Sequence, residues 1–256
     1  MEKVKTIAIT QARVGSSRLP SKVLLPIGNQ TLLDIHLKRL TMAQKVDQVV
    51  VATTNEDRSD EICIIAERCG TIWFKGSLDD VLDRFYQAAI LHKPDWVVRV
   101  TSDCPLIDPE LVDAVVELAI QHDYDYCSNV LVQDFPDGQD IEVFKMSTLE
   151  KAWNEAVKRH EREHVTPYIW SNCDFNGGEL FTSADLPSPG NYNAIRMTVD
   201  EAADLEVMTW LVEALGIDKP WFEYTQYLIA HPERAINSNI IRNEGYLKSL
   251  KNEKDE

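Results

Sequence analysis

Along the first half of the chain, short unbroken apolar runs alternate with longer stretches of helical periodicity. Ile7–Thr10 reads as a first strand, and Thr31–Met42 carries apolar residues at helical spacing with Thr31 placed to cap it. Gln48–Thr53 is a continuous apolar run, as a strand buried on both faces requires. Ser59–Cys69 reads as a helix with Asp60 and Glu61 in its first turn and Gly70 past its end. Thr71–Phe74 is a short strand, and Ser77-Leu-Asp-Asp80 has the form of a capping box opening a helix through Leu91. Trp96–Val100 is a further buried strand, and Pro109 suits the first turn of a helix running to about Gln121. This alternation predicts βαβ units in an α/β fold, a doubly wound and mainly parallel sheet. The loops that follow its strands then share one edge.

After about Asn129 the rhythm changes. Ile141–Lys145 alternates like a half-exposed strand, and Ser147-Thr-Leu-Glu150 is a second capping-box pattern, opening a helix to about Arg159. A polar stretch follows, Glu161-Arg-Glu-His-Val-Thr-Pro-Tyr168, then a Gly177–Gly178 turn and the loop L-P-S-P-G-N-Y-N. Ile195–Val199 returns to strand, with a helix from Glu201 to Leu215. No repeat or long linker divides the chain, so it reads as a single domain, 1–256, with an arm inserted at 129–193.

Composition narrows the partners. With 256 residues, 44% of them hydrophobic, a sizeable core is affordable, and a formal charge of -16 argues against nucleic acid or an anionic membrane as partner. The N-terminus lacks a signal-peptide pattern and no apolar run reaches membrane-spanning length, so a cytoplasmic location is expected. The five cysteines show no C-x-x-C spacing, which fits reduced thiols better than a zinc site.

Against that acidic background, the loop after the first strand concentrates Arg13, Arg18 and Lys22 beside the small residues Ala12, Gly15, Ser16 and Ser17. Close backbone approach, N–H donors and fixed positive charge are what a polyphosphate needs, so the loop is read as binding a nucleoside triphosphate. Neither G-x-x-x-x-G-K-[ST] nor G-x-G-x-x-G is present, which excludes a P-loop or a dinucleotide fingerprint. Asp103 and Asp200 each follow a predicted strand; together they suit Mg²⁺, which takes one or two carboxylates plus water and phosphate oxygens. Each is also a fair helix N-cap. Asp79, Asp80 and Asp83 resemble the metal-binding D-x-D of a glycosyltransferase, but a helix start is preferred, because Ser77 and the helix dipole account for Asp79 and Asp80; Asp83 and Arg84 lie one turn in, where they can face the nucleotide. Arg162 and His164 are candidate contacts to an anionic acceptor or to a partner subunit.

Seven blocks, in order, carry a resemblance: Q-A-R-V-G-S-S-R-L-P-S-K at 11–22, V-V-V-A-T-T at 49–54, F-K-G-S-L-D-D-V-L-D-R-F at 74–85, R-V-T-S-D-C-P-L-I-D-P at 99–109, F-P-D-G-Q-D-I-E-V-F at 135–144, R-E-H-V-T-P-Y at 162–168 and R-M-T-V-D at 196–200. The chain resembles the cytidylyltransferases that activate 3-deoxy-2-keto sugar acids of the Kdo and sialic-acid type, most nearly their spore-coat polysaccharide branch. Only the part after about Gly216 matches nothing in that pattern. The resemblance implies a nucleotide-diphospho-sugar transferase fold, GT-A-like, that moves CMP from CTP to a nonulosonic or 2-keto-3-deoxy sugar acid and releases pyrophosphate. It implies Arg13 and Lys22 on the phosphates, Ala12 and its backbone neighbours framing the cytosine, and Mg²⁺ on Asp103 and Asp200. These four charged residues are the expected catalytic set. The expected nucleotide contacts are Gln11, Ala12, Arg13, Gly15, Ser16, Arg18, Lys22, Thr53, Gly76, Asp83 and Ser102, and the expected acceptor contacts are Arg162, His164 and Arg196. The family also implies a homodimer, with the segment 129–193 reaching the neighbouring site. The alternatives are a sugar-nucleotide-dependent glycosyltransferase and a non-catalytic nucleotide-binding member.

Overall fold

The computed structural model describes residues 4–16 and 18–255; Ser17 of the basic loop lies outside them. Its seven-stranded sheet is built from β1 (Thr6–Gln11), β2 (Gln48–Thr54), β3 (Ile72–Gly76), β4 (Trp96–Thr101), β5 (Tyr126–Ser128), β6 (Glu142–Lys145) and β7 (Ser183–Asp185). The strand order is β3-β2-β1-β4-β6-β5-β7. The first four strands are mutually parallel, with Ile9 opposite Val50 and Arg99. β6 alone runs backwards, antiparallel to both β4 and β5, while β5 and β7 are again parallel. The segment 129–193 therefore places one strand inside the sheet, between β4 and β5.

Side-chain alternation divides the core between the two faces, since successive residues of a strand point in opposite directions. Ala8, Val49, Val51, Val98 and Val143 meet α1 (Leu32–Leu40), α2 (Ser59–Arg68) and α4 (Pro109–His122). Ile7, Ile9, Val50, Ala52, Val97 and Phe144 meet α3 (Val81–Ile90), α5 (Met146–Glu155) and α7 (Pro167–Ser171). A third cluster joins Leu32 and Ile35 to Met197, Val199, α8 (Ala202–Leu215) and α9 (Trp221–Ala230). Among the described residues no helix is long and apolar enough to cross a membrane. The five cysteines are free thiols, four of them buried.

Several local expectations need correction. Thr31 does cap α1 in a reciprocal box with Asp34. At α3, however, the cap is Asp80, which accepts from the Asp83 N–H, and Ser77 sits one turn earlier, accepting from Asp80 N. The Ser147–Glu150 box is not used. β6 runs straight into α5 at Met146, so the chain arrives with no free turn in which Ser147 could act as cap. That helix ends at Glu155 rather than Arg159; α6 (Arg159–His164) then restarts with Glu161 accepting from Lys158 N. Ile195–Val199 is extended but is not a sheet strand. It is held by one bridge, Asp137 to Arg196, and by Val199 N–H donating to the Asp103 carbonyl.

One buried group gives the fold a pH signature. His36 is fully buried in α1; its Nδ1 lies 2.9 Å from the Cys104 carbonyl, which can only accept, so Nδ1 carries the proton and Nε2 accepts from Thr10 Oγ1. Burial lowers its pKa to about 4. Below pH 6.5 the unfolded chain takes a proton that the folded chain refuses until about pH 4. Stability present above 6.5 is therefore lost across that window, by about 3 kcal/mol for a shift of this size. His36→Gln should show a shallower acid limb in urea unfolding between pH 6.5 and 4; an equally steep limb would refute the assignment.

Candidate active site

The basic loop leaves the sheet where β1, β2 and β4 end together. Ser102 Oγ donates to the Gln11 carbonyl at 2.6 Å and Ala12 N–H donates to the Ala52 carbonyl at 3.1 Å, so the loop root is tied to both neighbouring strands. The loop then folds back through Ser21 N–H to Val14 O, with Ser21 in the left-handed region at φ 56°. A single helical turn, Lys22–Leu24, follows and directs Lys22 towards the sheet edge. Its ammonium donates to Asp103 Oδ2 at 2.8 Å and Asp200 Oδ1 at 2.7 Å. Residues 81 and 178 positions away in the chain thus converge on one cation. Arg18 joins them, 2.9 Å from Asp200 Oδ1.

The electrostatics follow from this contact. Burial disfavours charge on Lys22, but the two aspartates outweigh it and raise its pKa, so it is held as ammonium. Burial likewise opposes ionisation of Asp103, yet the Lys22 charge and hydrogen bond hold that carboxyl well below the usual range. The pair is charged across the physiological range.

Around this centre lies a cavity of about 1300 Å³, lined by Gln11, Ala12, Arg13, Ser16, Arg18, Lys22, Ser102, Asp103, His164, Arg196 and Asp200 among the expected residues. Arg84 also lines it; burial and then Arg13 lower its pKa to about 10, and it donates to the Ser77 carbonyl. Five expected residues do not line it. Thr53 is fully buried in β2, on a strand enclosed on both faces. Gly76 lies beneath Arg84, where an added Cβ would come within 2.9 Å of Arg84 Cγ. Gly15 instead backs onto Glu56, whose Oε1 would collide with such a Cβ. Asp83 Oδ1 accepts from Trp153 Nε1 at 2.8 Å and from Gln87. Arg162 pairs with Asp80, Nε to Oδ2 at 3.0 Å and NH2 to Oδ2 at 2.6 Å, and so fastens α6 to the start of α3. With Asp80 capping and Asp83 turned aside, D-D-V-L-D forms a helix start; Asp79 and Val81 are its members on the cavity wall.

The two remaining acceptor candidates line the cavity, each with partners of its own. His164 is neutral near pH 7, because burial, Arg99 and His160 outweigh Glu163 and lower its pKa to about 4. Arg196 is 6% exposed and tied to Asp137, Asp200 and Asp204, so it positions carboxylates rather than offering a bare cation.

Two features of this cavity escape the sequence reading. The block 135–144 places Asp137, Asp140 and Glu142 on the cavity wall. Glu142 faces Arg99 across the β4–β6 ladder and accepts from Tyr126 OH at 2.7 Å, while Arg242 NH2 donates to Asp140 at 2.6 Å. The i, i+3, i+5 spacing of acids in D-G-Q-D-I-E was the available signal. The second feature is α10 (Glu244–Asp255), which covers the cavity from the C-terminal side. Glu244 accepts from Arg18 at 3.1 Å, Tyr246 packs edge-on against His160, His164 and Trp170, and the Ser249 hydroxyl sits between His164 Nε2 and Glu163.

Gly138 keeps the two halves of the site in register. It adopts φ +105°, and a Cβ there would lie 2.5 Å from the Met197 carbonyl carbon, the backbone that carries Arg196 towards Asp137. Gly138→Ala is expected to cost about 2–4 kcal/mol through left-handed strain plus backbone displacement. Thermal unfolding measures it, and an unchanged midpoint would contradict the close approach.

A doubly wound sheet whose strand ends present fixed cations to two converging aspartates defines a nucleotidyltransferase. Residues 7–182 match the family model described as cytidylyltransferase. The chain is 37% identical over 243 residues to an uncharacterized protein of Methanocaldococcus jannaschii, covering 93% of this chain and 96% of that one. It is 33% identical over 215 residues to the spore coat polysaccharide biosynthesis protein SpsF of Bacillus subtilis, covering 81% and 86%. A solved cytidylyltransferase from Leptospira borgpetersenii serovar Hardjo-bovis superposes with a TM-score of 0.86 at 32% identity, over 93% of this chain and all of that one. The chain belongs to the cytidylyltransferase family.

Proposed function

We propose that this protein transfers CMP from CTP to a hydroxyl of a 2-keto-3-deoxy or nonulosonic sugar acid, releasing pyrophosphate, for cell-surface or spore-coat polysaccharide synthesis. The observation that carries this reading is the convergence of Lys22, Asp103 and Asp200 at the foot of the arginine-bearing loop. The acceptor class rests on the sequence blocks shared with keto-sugar-acid cytidylyltransferases. The polysaccharide role follows the similarity to SpsF.

In this reading Arg13 and Arg18 hold the triphosphate tail while the loop backbone seats the nucleotide. The acceptor oxygen attacks the α-phosphorus in line; the bond from that phosphorus to the β-bridging oxygen breaks, pyrophosphate leaves and the hydroxyl proton passes to water. Positioning and charge neutralisation carry the rate, so fixed cations beside the leaving group are the protein's main contribution. Asp103 and Asp200 would hold Mg²⁺. Two carboxylates gathered about one cation are a donor set that suits it, and the Lys22 ammonium already occupies such a position. When bound, Mg²⁺ polarises the phosphate under attack. The protein is proposed to work as a cytoplasmic homodimer, with part of 129–193 reaching the neighbouring site.

A pyrophosphate-release screen of the four nucleoside triphosphates against keto-deoxy sugar acids, with and without Mg²⁺, tests this. Turnover is expected only with CTP, a sugar acid and Mg²⁺. Release of a nucleoside mono- or diphosphate from a sugar nucleotide would instead establish a glycosyltransferase, and CTP binding without turnover on any acceptor would establish a non-catalytic nucleotide binder.

A further inference from the structure

We propose that Lys22 is a placeholder cation: without nucleotide it fills the position between Asp103 and Asp200, and the triphosphate must draw it away before those carboxylates can take a divalent ion. The inference rests on the reading of Asp103 and Asp200 as metal ligands and adds an order to it, nucleotide first and metal second.

The aspartates are already committed. Asp200 Oδ1 accepts from Lys22 at 2.7 Å and pairs with Arg18 at 2.9 Å, and its Oδ2 pairs with Arg196 at 3.0 Å. Asp103 Oδ2 accepts from Lys22 at 2.8 Å, and its Oδ1 lies 3.6 Å from Cys104 Sγ. A metal bound to oxygen at about 2.1 Å would share Asp103 Oδ2 and Asp200 Oδ1 with an ammonium lying against both, and two cations in that space repel strongly. One must leave.

Lys22 can move cheaply. Its backbone is fixed by Lys22 N–H to Leu19 O, Leu24 N–H to Ser21 O and Leu25 N–H to Lys22 O, so the turn holds while the four-carbon stem swings. The stem springs from the same loop as Arg13 and Arg18, on the cavity wall. A polyanion seated there is therefore within the stem's reach. Arg18 is held in the same way, by Asp200 and by Glu244 of α10. Both residues are thus stored on carboxylates until phosphates compete for them. Lys22 accordingly acts as a positioning residue for the metal as well as a phosphate contact.

Mn²⁺ binding to the nucleotide-free full chain, read by electron paramagnetic resonance, tests this without reference to turnover. The unmutated protein is expected to bind Mn²⁺ weakly, and Lys22→Met to bind it at least about tenfold more tightly, because a competing charge has gone. Lys22→Gln, whose amide still donates to one aspartate, should show the same gain and covers the case where the methionine variant folds poorly. Adding Asp103→Asn to either variant should remove the gain. Equal Mn²⁺ affinity in the unmutated and Lys22 variants overturns the proposal, as does a gain that survives Asp103→Asn. The metal reading is judged separately, by CTP turnover of the unmutated protein in Mg²⁺ against EDTA: undiminished turnover in EDTA would reject the metal, whereas full Mg²⁺ dependence with no Lys22 effect would reject only the ordering.

Discussion

Asp103→Asn is expected to reduce Mg²⁺-dependent pyrophosphate release by roughly 10³-fold, the scale seen when a fixed electrostatic contact to the reacting group is removed. The fold should survive. The asparagine oxygen can still accept from Lys22, and the backbone carbonyl of residue 103 still accepts from Val199 N–H. Asp200→Asn should impair turnover as severely but cost more stability, because an amide NH2 would be turned against Arg196 or against Lys22 and Arg18. Steady-state rates paired with thermal unfolding make the comparison. Turnover within threefold of the unmutated rate in both variants would remove these residues from the reaction.

The second large effect is on stability. Arg196→Met is expected to destabilise the protein by about 3–5 kcal/mol, since it takes the shared cation from three carboxylates in a buried ion-pair network. Arg196 joins three carboxylates, Asp137, Asp200 and Asp204, and Asp204 is fully buried, with Asn237 as a further donor. Asp137 would be driven towards its neutral acid. Burial and the neighbouring Asp140 already push its pKa up to about 7 against the pull of Arg242 and Arg196. For a chain of this length that loss corresponds to a midpoint roughly 10 °C lower. A shift under 2 °C would mean that the network contributes little. Turnover should fall as well, because Asp200 loses the contact that fixes its Oδ2.

These two residues also show how unevenly the site can be read from sequence. Asp103 follows a β-branched run that is a real strand, β4, so its place at the sheet edge is legible from the pattern alone. Asp200 reaches the same edge by a different route. The run before it is extended but unpaired with the sheet; Val199 N–H and the Thr198 hydroxyl hold it to the Asp103 carbonyl, and a bridge ties it to Asp137. Apolar alternation cannot distinguish a strand in a ladder from an extended segment packed on its end, because successive side chains point to opposite sides in both. Arg162 illustrates the converse. It stands in a block shared with the family, yet its guanidinium is spent on Asp80, and no spacing rule reveals which carboxylate a long side chain will meet.

Sequence alone determined the four parallel strands and their helices, the fold class, and the cationic loop at the end of the first strand. Those follow from local periodicity, capping and turn chemistry, which act between residues close in the chain. Tertiary structure alone decided that β6 runs backwards inside the sheet, that Asp137, Asp140 and Glu142 line the same cavity as the loop, that α10 covers the cavity, and that Thr53, Asp83 and Arg162 turn elsewhere. Each of those outcomes depends on contacts between distant segments. The direction of a charged side chain is set by whichever partner packing brings within about 3 Å, where charge-assisted hydrogen bonds form.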